Sequence, residues 1–73
     1  MSYQVFADGK DGFNSNSAAQ VADVAVYWEK EGRNPRAWAV ADVGPGPVRM
    51  AEVKVSTIKK TAAALVAAMR EIA

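Results

Sequence analysis

The sequence predicts a small α+β domain in which two helices cover one face of a three-stranded sheet. Two segments repeat apolar residues at spacings of three and four, which is typical of amphipathic helices. Three shorter segments are rich in β-branched, aromatic or strictly alternating residues, which is typical of strands. The chain has 73 residues, a length at which one domain is expected. We therefore predict a single domain over residues 1–73 with the element order β-α-β-β-α.

The first strand and helix are predicted on either side of a polar loop. Residues 3–7 form the strand, and residues 8–17 form a loop because glycine, asparagine, aspartate and serine favour turns. Asn16 or Ser17 caps a helix over residues 18–31. Gly32 suits the left-handed position after that helix. Its apolar stripe is Ala18, Val21, Ala25 and Trp28.

Two strands and a second helix complete the prediction. Residues 36–43 and 48–55 alternate small apolar with larger or polar residues, and the glycine–proline run at 44–47 forms the turn between them. Ser56 or Thr57 caps a helix over residues 58–72. The apolar stripe predicted for this helix is Ile58, Ala62, Leu65, Met69 and Ile72.

Both amphipathic helices need one apolar surface, so we expect them on the same side of the sheet. The preferred strand order is 1-3-2, with 3-2-1 as the alternative. Strands two and three are expected to form an antiparallel hairpin, and the first crossover is expected to be right-handed. In outline this arrangement resembles a ferredoxin-like βαββαβ unit without its last strand. The comparison concerns architecture only, and no family is identified from the sequence.

The composition argues against an enzyme. The chain has no cysteine and no histidine, so the usual zinc ligands and the commonest general base are missing. None of the four aspartates is placed with a base or nucleophile partner. We expect no cofactor and no metal. No apolar run approaches the about 18 residues of a membrane span, and the first residues lack signal-peptide features, so a cytoplasmic protein without a membrane partner is expected.

The sheet face opposite the helices is the best candidate binding surface. If the alanines and valines face the helices, larger side chains point away from them and form an apolar patch with a basic rim. Aromatic residues and arginine are typical anchors of protein interfaces. The alternatives are an opposite register, or a loop or terminus that covers this face as a second core. The candidate partner-binding residues are Phe6, Arg36, Trp38, Val40, Met50 and Lys54.

The sequence offers two further candidate sites. The same face has aromatic side chains that can stack on bases, with Arg36 and Lys54 available to phosphate. However, the net charge is only +1, and nearby acidic residues oppose a phosphate backbone. The start of the last helix is a possible anion site, although lysines at a solvated helix start explain the same pattern. The residues of this possible anion site are Ser56, Thr57, Lys59 and Lys60.

These features predict a small non-enzymatic protein that acts through protein–protein contacts. A subunit, adaptor or inhibitor of a larger bacterial or phage machine is expected. It would use the open sheet face or an exposed strand edge. Homodimerisation is part of this expectation, because a strand carrying Tyr3, Val5 and Phe6 at the sheet edge is a natural pairing site. A single-stranded nucleic-acid-binding module that uses the same face is the alternative.

Overall fold

The computed structural model describes residues 1–42 and 44–73 and shows an α+β fold. Two helices pack against one antiparallel sheet of four strands in the order β2-β1-β3-β4. The strands are β1 (Ser2–Phe6), β2 (Phe13–Ser15), β3 (Arg36–Ala41) and β4 (Arg49–Val53). The helices are α1 (Ala18–Lys30) and α2 (Ile58–Ile72).

Strand β2 corrects the predicted three-stranded sheet. It lies inside the segment predicted as a loop and pairs with β1, with Val5 opposite Phe13 and Tyr3 opposite Ser15. Three residues are too few for an alternating pattern to be recognised, and Asn14 and Ser15 are themselves turn-favouring types. The sheet gains an edge strand, and the element order becomes β-β-α-β-β-α, which differs from the truncated ferredoxin-like outline.

The preferred strand order is also wrong. The predicted strands correspond to β1, β3 and β4, and β3 lies between the other two, as in the alternative order. Strands β1 and β3 are antiparallel neighbours, so the expected right-handed crossover between parallel strands does not exist there. The parallel strands that α1 connects are β2 and β3, with β1 between them. Because β1 is flanked on both sides, it is no edge for a second copy to pair with.

The predicted hairpin and both helices are confirmed. Strands β3 and β4 pair antiparallel, with Ala39 opposite Ala51. The Ser17 hydroxyl caps α1 by accepting from the Gln20 N–H, and the Thr57 hydroxyl caps α2 by accepting from the Lys60 N–H, both at 3.2 Å. The predicted end of the second strand at Val43 lies outside the described residues.

Helix α1 ends at a glycine that adopts the left-handed backbone conformation. Gly32 has φ of 73°, and its N–H donates to the Glu29 carbonyl while the Arg33 N–H donates to the Trp28 carbonyl. This is the bond pattern of a Schellman motif. A further hydrogen bond joins this corner to the β1–β2 turn: the Asp8 N–H donates to the Arg33 carbonyl at 2.9 Å. The helix end and the hairpin are thereby held together.

The core lies between the sheet and the helices and is built on small residues. Ala37 and Ala39 of the central strand β3 are fully buried, so the helices approach the sheet closely. Val5 from β1 and Leu65 from α2 complete the main cluster with Ala37 and all four residues of the predicted α1 stripe. The predicted orientation of the alanine and valine faces is therefore confirmed.

The buried line of α2 differs in part from the predicted stripe. Ile58 is 43% exposed, whereas Thr61 is fully buried together with Leu65. The Thr61 hydroxyl accepts a hydrogen bond from the Ser56 N–H at 2.9 Å, so its burial leaves no unsatisfied acceptor. In the described part of the chain, neither helix is long and apolar enough to cross a membrane.

Candidate functional site: the open face of the sheet

The open face is the surface of the sheet that points away from both helices. Strand pairing fixes which side chains are neighbours there, because directly paired residues lie on the same side. Phe6 lies opposite Arg36 at one end of this surface. The middle row is Gln4, Trp38 and Glu52, and the row beyond it is Ser2, Val40 and Met50.

Trp38 is at the centre of the open face and is partly exposed. The guanidinium carbon of Arg36 lies over its ring, 5.5 Å from the ring centroid. A cation at this distance is attracted by the electron-rich face of the indole. The rim residue Arg36 and the central aromatic residue Trp38 are therefore in direct contact.

Glu52 holds Arg36 in this position. Its two carboxylate oxygens accept from Nε and Nη2 of Arg36 at 3.0 and 2.8 Å, a bidentate geometry. These hydrogen bonds lower the pKa of the Glu52 carboxyl and raise the pKa of Arg36. The pair therefore remains ionised at neutral pH. It is solvent-exposed, so its main effect is to orient the arginine.

Phe6 and Met50 are the exposed apolar side chains of the open face, each with 48% of its surface accessible. The Phe6 ring lies against the backbone of the β1–β2 loop: a Cβ atom placed on Gly12 would be 2.7 Å from it. Because Gly12 has no side chain, the loop backbone can lie this close to the Phe6 ring. The loop supports Phe6 from the side and leaves about half of it exposed.

Val40 corrects the predicted set, because it is only 7% exposed. It lies on the internal strand β3, opposite Ser2 of β1 and Met50 of β4. Val40 therefore offers little surface to a partner. Lys54 follows β4 directly and is exposed, as predicted for a rim residue.

The residues of the possible anion site lie together at the start of α2, but the Thr57 hydroxyl and the Ser56 N–H already form hydrogen bonds within the chain. The Thr57 hydroxyl caps the helix, and the Ser56 N–H donates to Thr61. Lys59 and Lys60 are exposed. Anion binding here stays a prediction. Among residues 1–42 and 44–73, no group of three acidic side chains is placed to hold a metal ion.

The alternation within each strand predicted the members of the open face, but the Arg36–Glu52 pair was missed. The two residues are separated by 16 positions, and the pairing depends on the register of β3 and β4. An acidic and a basic residue on the same predicted face of one hairpin were the available signal.

Comparisons with protein-family models, with curated proteins and with solved structures find no match.

Proposed function

We propose that this chain is a small non-enzymatic binding protein whose open face docks a protein partner. The observation that supports this most directly is the pair of half-exposed side chains, Phe6 and Met50, beside a partly exposed Trp38. Both helices pack on the other side of the sheet, against Val5 and Ala37. Clustered apolar exposure of this kind usually marks a contact surface, and tryptophan and arginine are frequent hot-spot residues.

The size of the open face limits how a partner can use it. The three longer strands, β1, β3 and β4, have five or six residues; at about 4.8 Å between strands and about 3.4 Å per residue they give a footprint of roughly 14 by 17 Å, with the short strand β2 beside it. An α-helix about 10–12 Å in diameter fits within this width. Standard interfaces bury about 800 Å² per partner, so a stable complex would also engage the rim around Arg36 and Lys54. A subunit, adaptor or inhibitor fits these dimensions.

Charge favours a protein partner over a nucleic acid. The positive charge of Arg36 is balanced by Glu52 at 2.8 Å, and a phosphate would have to compete with that carboxylate. Lys54 adds one further cation, while phosphate-driven binding depends on several. A contact based on Trp38 and the neighbouring apolar side chains needs no such excess of cations. The single-stranded nucleic-acid alternative is therefore the weaker proposal.

Capture of partners from an extract of the native host tests the proposal. The Trp38→Ala variant is expected to lose about 2 kcal/mol of binding free energy, or roughly 30-fold in affinity, as for a hot-spot aromatic residue. Mass spectrometry identifies the captured protein, and titration with the purified protein measures the loss. The matched control is Val66→Ala, which shortens an exposed apolar side chain of α2 and is expected to bind normally.

Unchanged affinity of the Trp38→Ala variant for the captured protein would refute the use of this face. Binding of single-stranded oligonucleotides that weakens steeply between 50 and 200 mM salt would instead support the nucleic-acid alternative. A protein contact dominated by apolar burial is expected to change little over the same range of salt.

A further inference from the structure

A second apolar depression lies on the other side of the sheet, between edge strand β2 and helix α1. Its volume is about 400 Å³. Phe13 of β2 forms one wall, and Val24 and Trp28, one helical turn apart, form the other. Tyr27 lies at its border and is 60% exposed. We call this depression the β2–α1 groove; none of its residues belongs to the open face.

The strand beside the groove is free on its outer side. In the sheet order β2-β1-β3-β4, β2 is terminal, and within residues 1–42 and 44–73 it pairs with β1 alone. A terminal strand presents backbone N–H and C=O groups that another strand can pair with. Phe13 lies on the same side of the sheet as its pairing partner Val5, the helix side. In a strand added beside β2, every second side chain would therefore point toward α1.

One end of the groove is fixed by hydrogen bonds. The Ser15 hydroxyl donates to Oε1 of Gln20 at 2.7 Å and accepts from the Ser17 N–H at 3.0 Å. These bonds join the end of β2 to the first turn of α1. The separation of strand and helix is thereby set before any ligand arrives, which reduces the entropy cost of binding.

We propose that the β2–α1 groove binds an extended peptide segment of a protein partner by strand addition to β2. The backbone of the peptide pairs with the free side of Phe13–Ser15, and its alternate apolar side chains pack against Val24, Tyr27 and Trp28. Strand addition of this kind takes affinity from the main chain and specificity from alternate side-chain pockets. The proposal is independent of the open face, which contacts its partner with a different set of residues.

Charge at the groove specifies the peptide further. Among the residues that the structure describes, Asp23 and Tyr27 are the ionisable ones that line the groove, and Asp23 is exposed. A lysine or arginine in the peptide, on the same side as the apolar residues, would meet this carboxylate. The groove therefore favours a peptide that has apolar residues at every second position and a basic residue before or after them.

A phage-displayed library of random twelve-residue peptides, selected on the full chain, tests this inference. The selected peptides are expected to share apolar residues at every second position and a basic residue on the same side of the extended chain. A synthetic copy of one selected peptide is expected to shift the backbone amide signals of Phe13–Ser15 and of α1 in NMR titrations. Replacing its β2-facing N–H groups by N-methyl groups is expected to weaken binding at least about tenfold, because strand pairing is lost.

Variants of the groove make the test specific. Tyr27→Ala removes an exposed ring without disturbing the core and is expected to weaken binding of the synthetic peptide at least about tenfold. Asp23→Lys is expected to reverse the charge preference. This variant should bind an analogue with glutamate in place of the basic residue more tightly than the basic peptide itself. Trp38→Ala is the matched control from the open face and is expected to leave peptide affinity unchanged.

Three outcomes would overturn the inference: no enriched peptide, equal binding to the Tyr27→Ala variant, or full binding of the N-methylated peptide. Each of them leaves the open-face proposal untouched, since that proposal depends on Trp38.

Discussion

Replacing Trp28 with alanine is expected to lower the free energy of unfolding by about 3–5 kcal/mol, the usual cost of removing a core aromatic side chain. Trp28 is 9% exposed and belongs to the cluster that joins α1 to Val5 and Leu65. The other members of that cluster are valines, alanines and one leucine, which are too small to fill the space that the indole occupies. The cavity therefore adds to the lost burial.

The size of the chain makes this loss severe. Domains of this length are stable by roughly 4–11 kcal/mol, so the Trp28→Ala substitution is expected to remove a large part of the stability and, at the lower end of this range, to leave the domain partly unfolded at room temperature. Urea denaturation followed by circular dichroism measures the change. Tyr27→Ala, at the neighbouring but 60% exposed position, is the control and is expected to change stability by no more than about 0.5 kcal/mol. Similar losses in the two variants would contradict the assigned core.

Replacing Leu65 with alanine is expected to cost about 2–5 kcal/mol. Leu65 is the only leucine of the sequence and is fully buried. It is the member of the main cluster that comes from α2, and it packs with residues of α1 and of the sheet. Since the alanine of β3 in this cluster, Ala37, cannot extend into the vacated space, little relaxation is expected.

The Leu65→Ala measurement has a control at the next residue. Val66 is 37% exposed, and Val66→Ala is expected to cost less than about 1 kcal/mol. Equilibrium urea unfolding of both variants, with an unchanged dependence on denaturant, gives the comparison directly. If the two substitutions cost the same, the helical phase of α2 would be different from the one described.

The helices and their caps could be predicted because their signals are local. Ser17 and Thr57 each precede an apolar periodicity, and Gly32 follows one, so the bonds that begin and end the helices come from residues close in sequence. The same applies to the β3–β4 hairpin, where alternation and the glycine–proline turn are adjacent along the chain.

The strand order and β2 could not be predicted, because they depend on contacts between distant segments. Phe13 is recognisable as part of a strand only through its pairing with Val5. Because β2 was not predicted, the sequence did not indicate that β1 is an internal strand. It also did not indicate that the segment containing α1 connects β2 to β3 across β1. The β2–α1 groove was missed for the same reason, since β2 forms one of its walls.

The open face was predicted in composition but not in detail. Alternation placed Phe6, Trp38 and Met50 on the side away from the helices, where the structure has them. The burial of Val40 and the pairing of Arg36 with Glu52 depend on which residues lie opposite one another. If the register between β3 and its neighbours were shifted by one residue, the conclusions about Val40 and about the Arg36–Glu52 pair would both change.

The free energy of unfolding of the Trp38→Ala variant tests the central claim most directly, namely that the side of the sheet away from the helices is surface and not a second core. Trp38 is partly exposed, and its replacement removes the contact with Arg36. A cost of no more than about 1.5 kcal/mol is expected, of which the cation–π contact at an exposed site accounts for about 0.5–1 kcal/mol. A loss of about 3–5 kcal/mol, equal to that expected for Trp28→Ala, would contradict the claim.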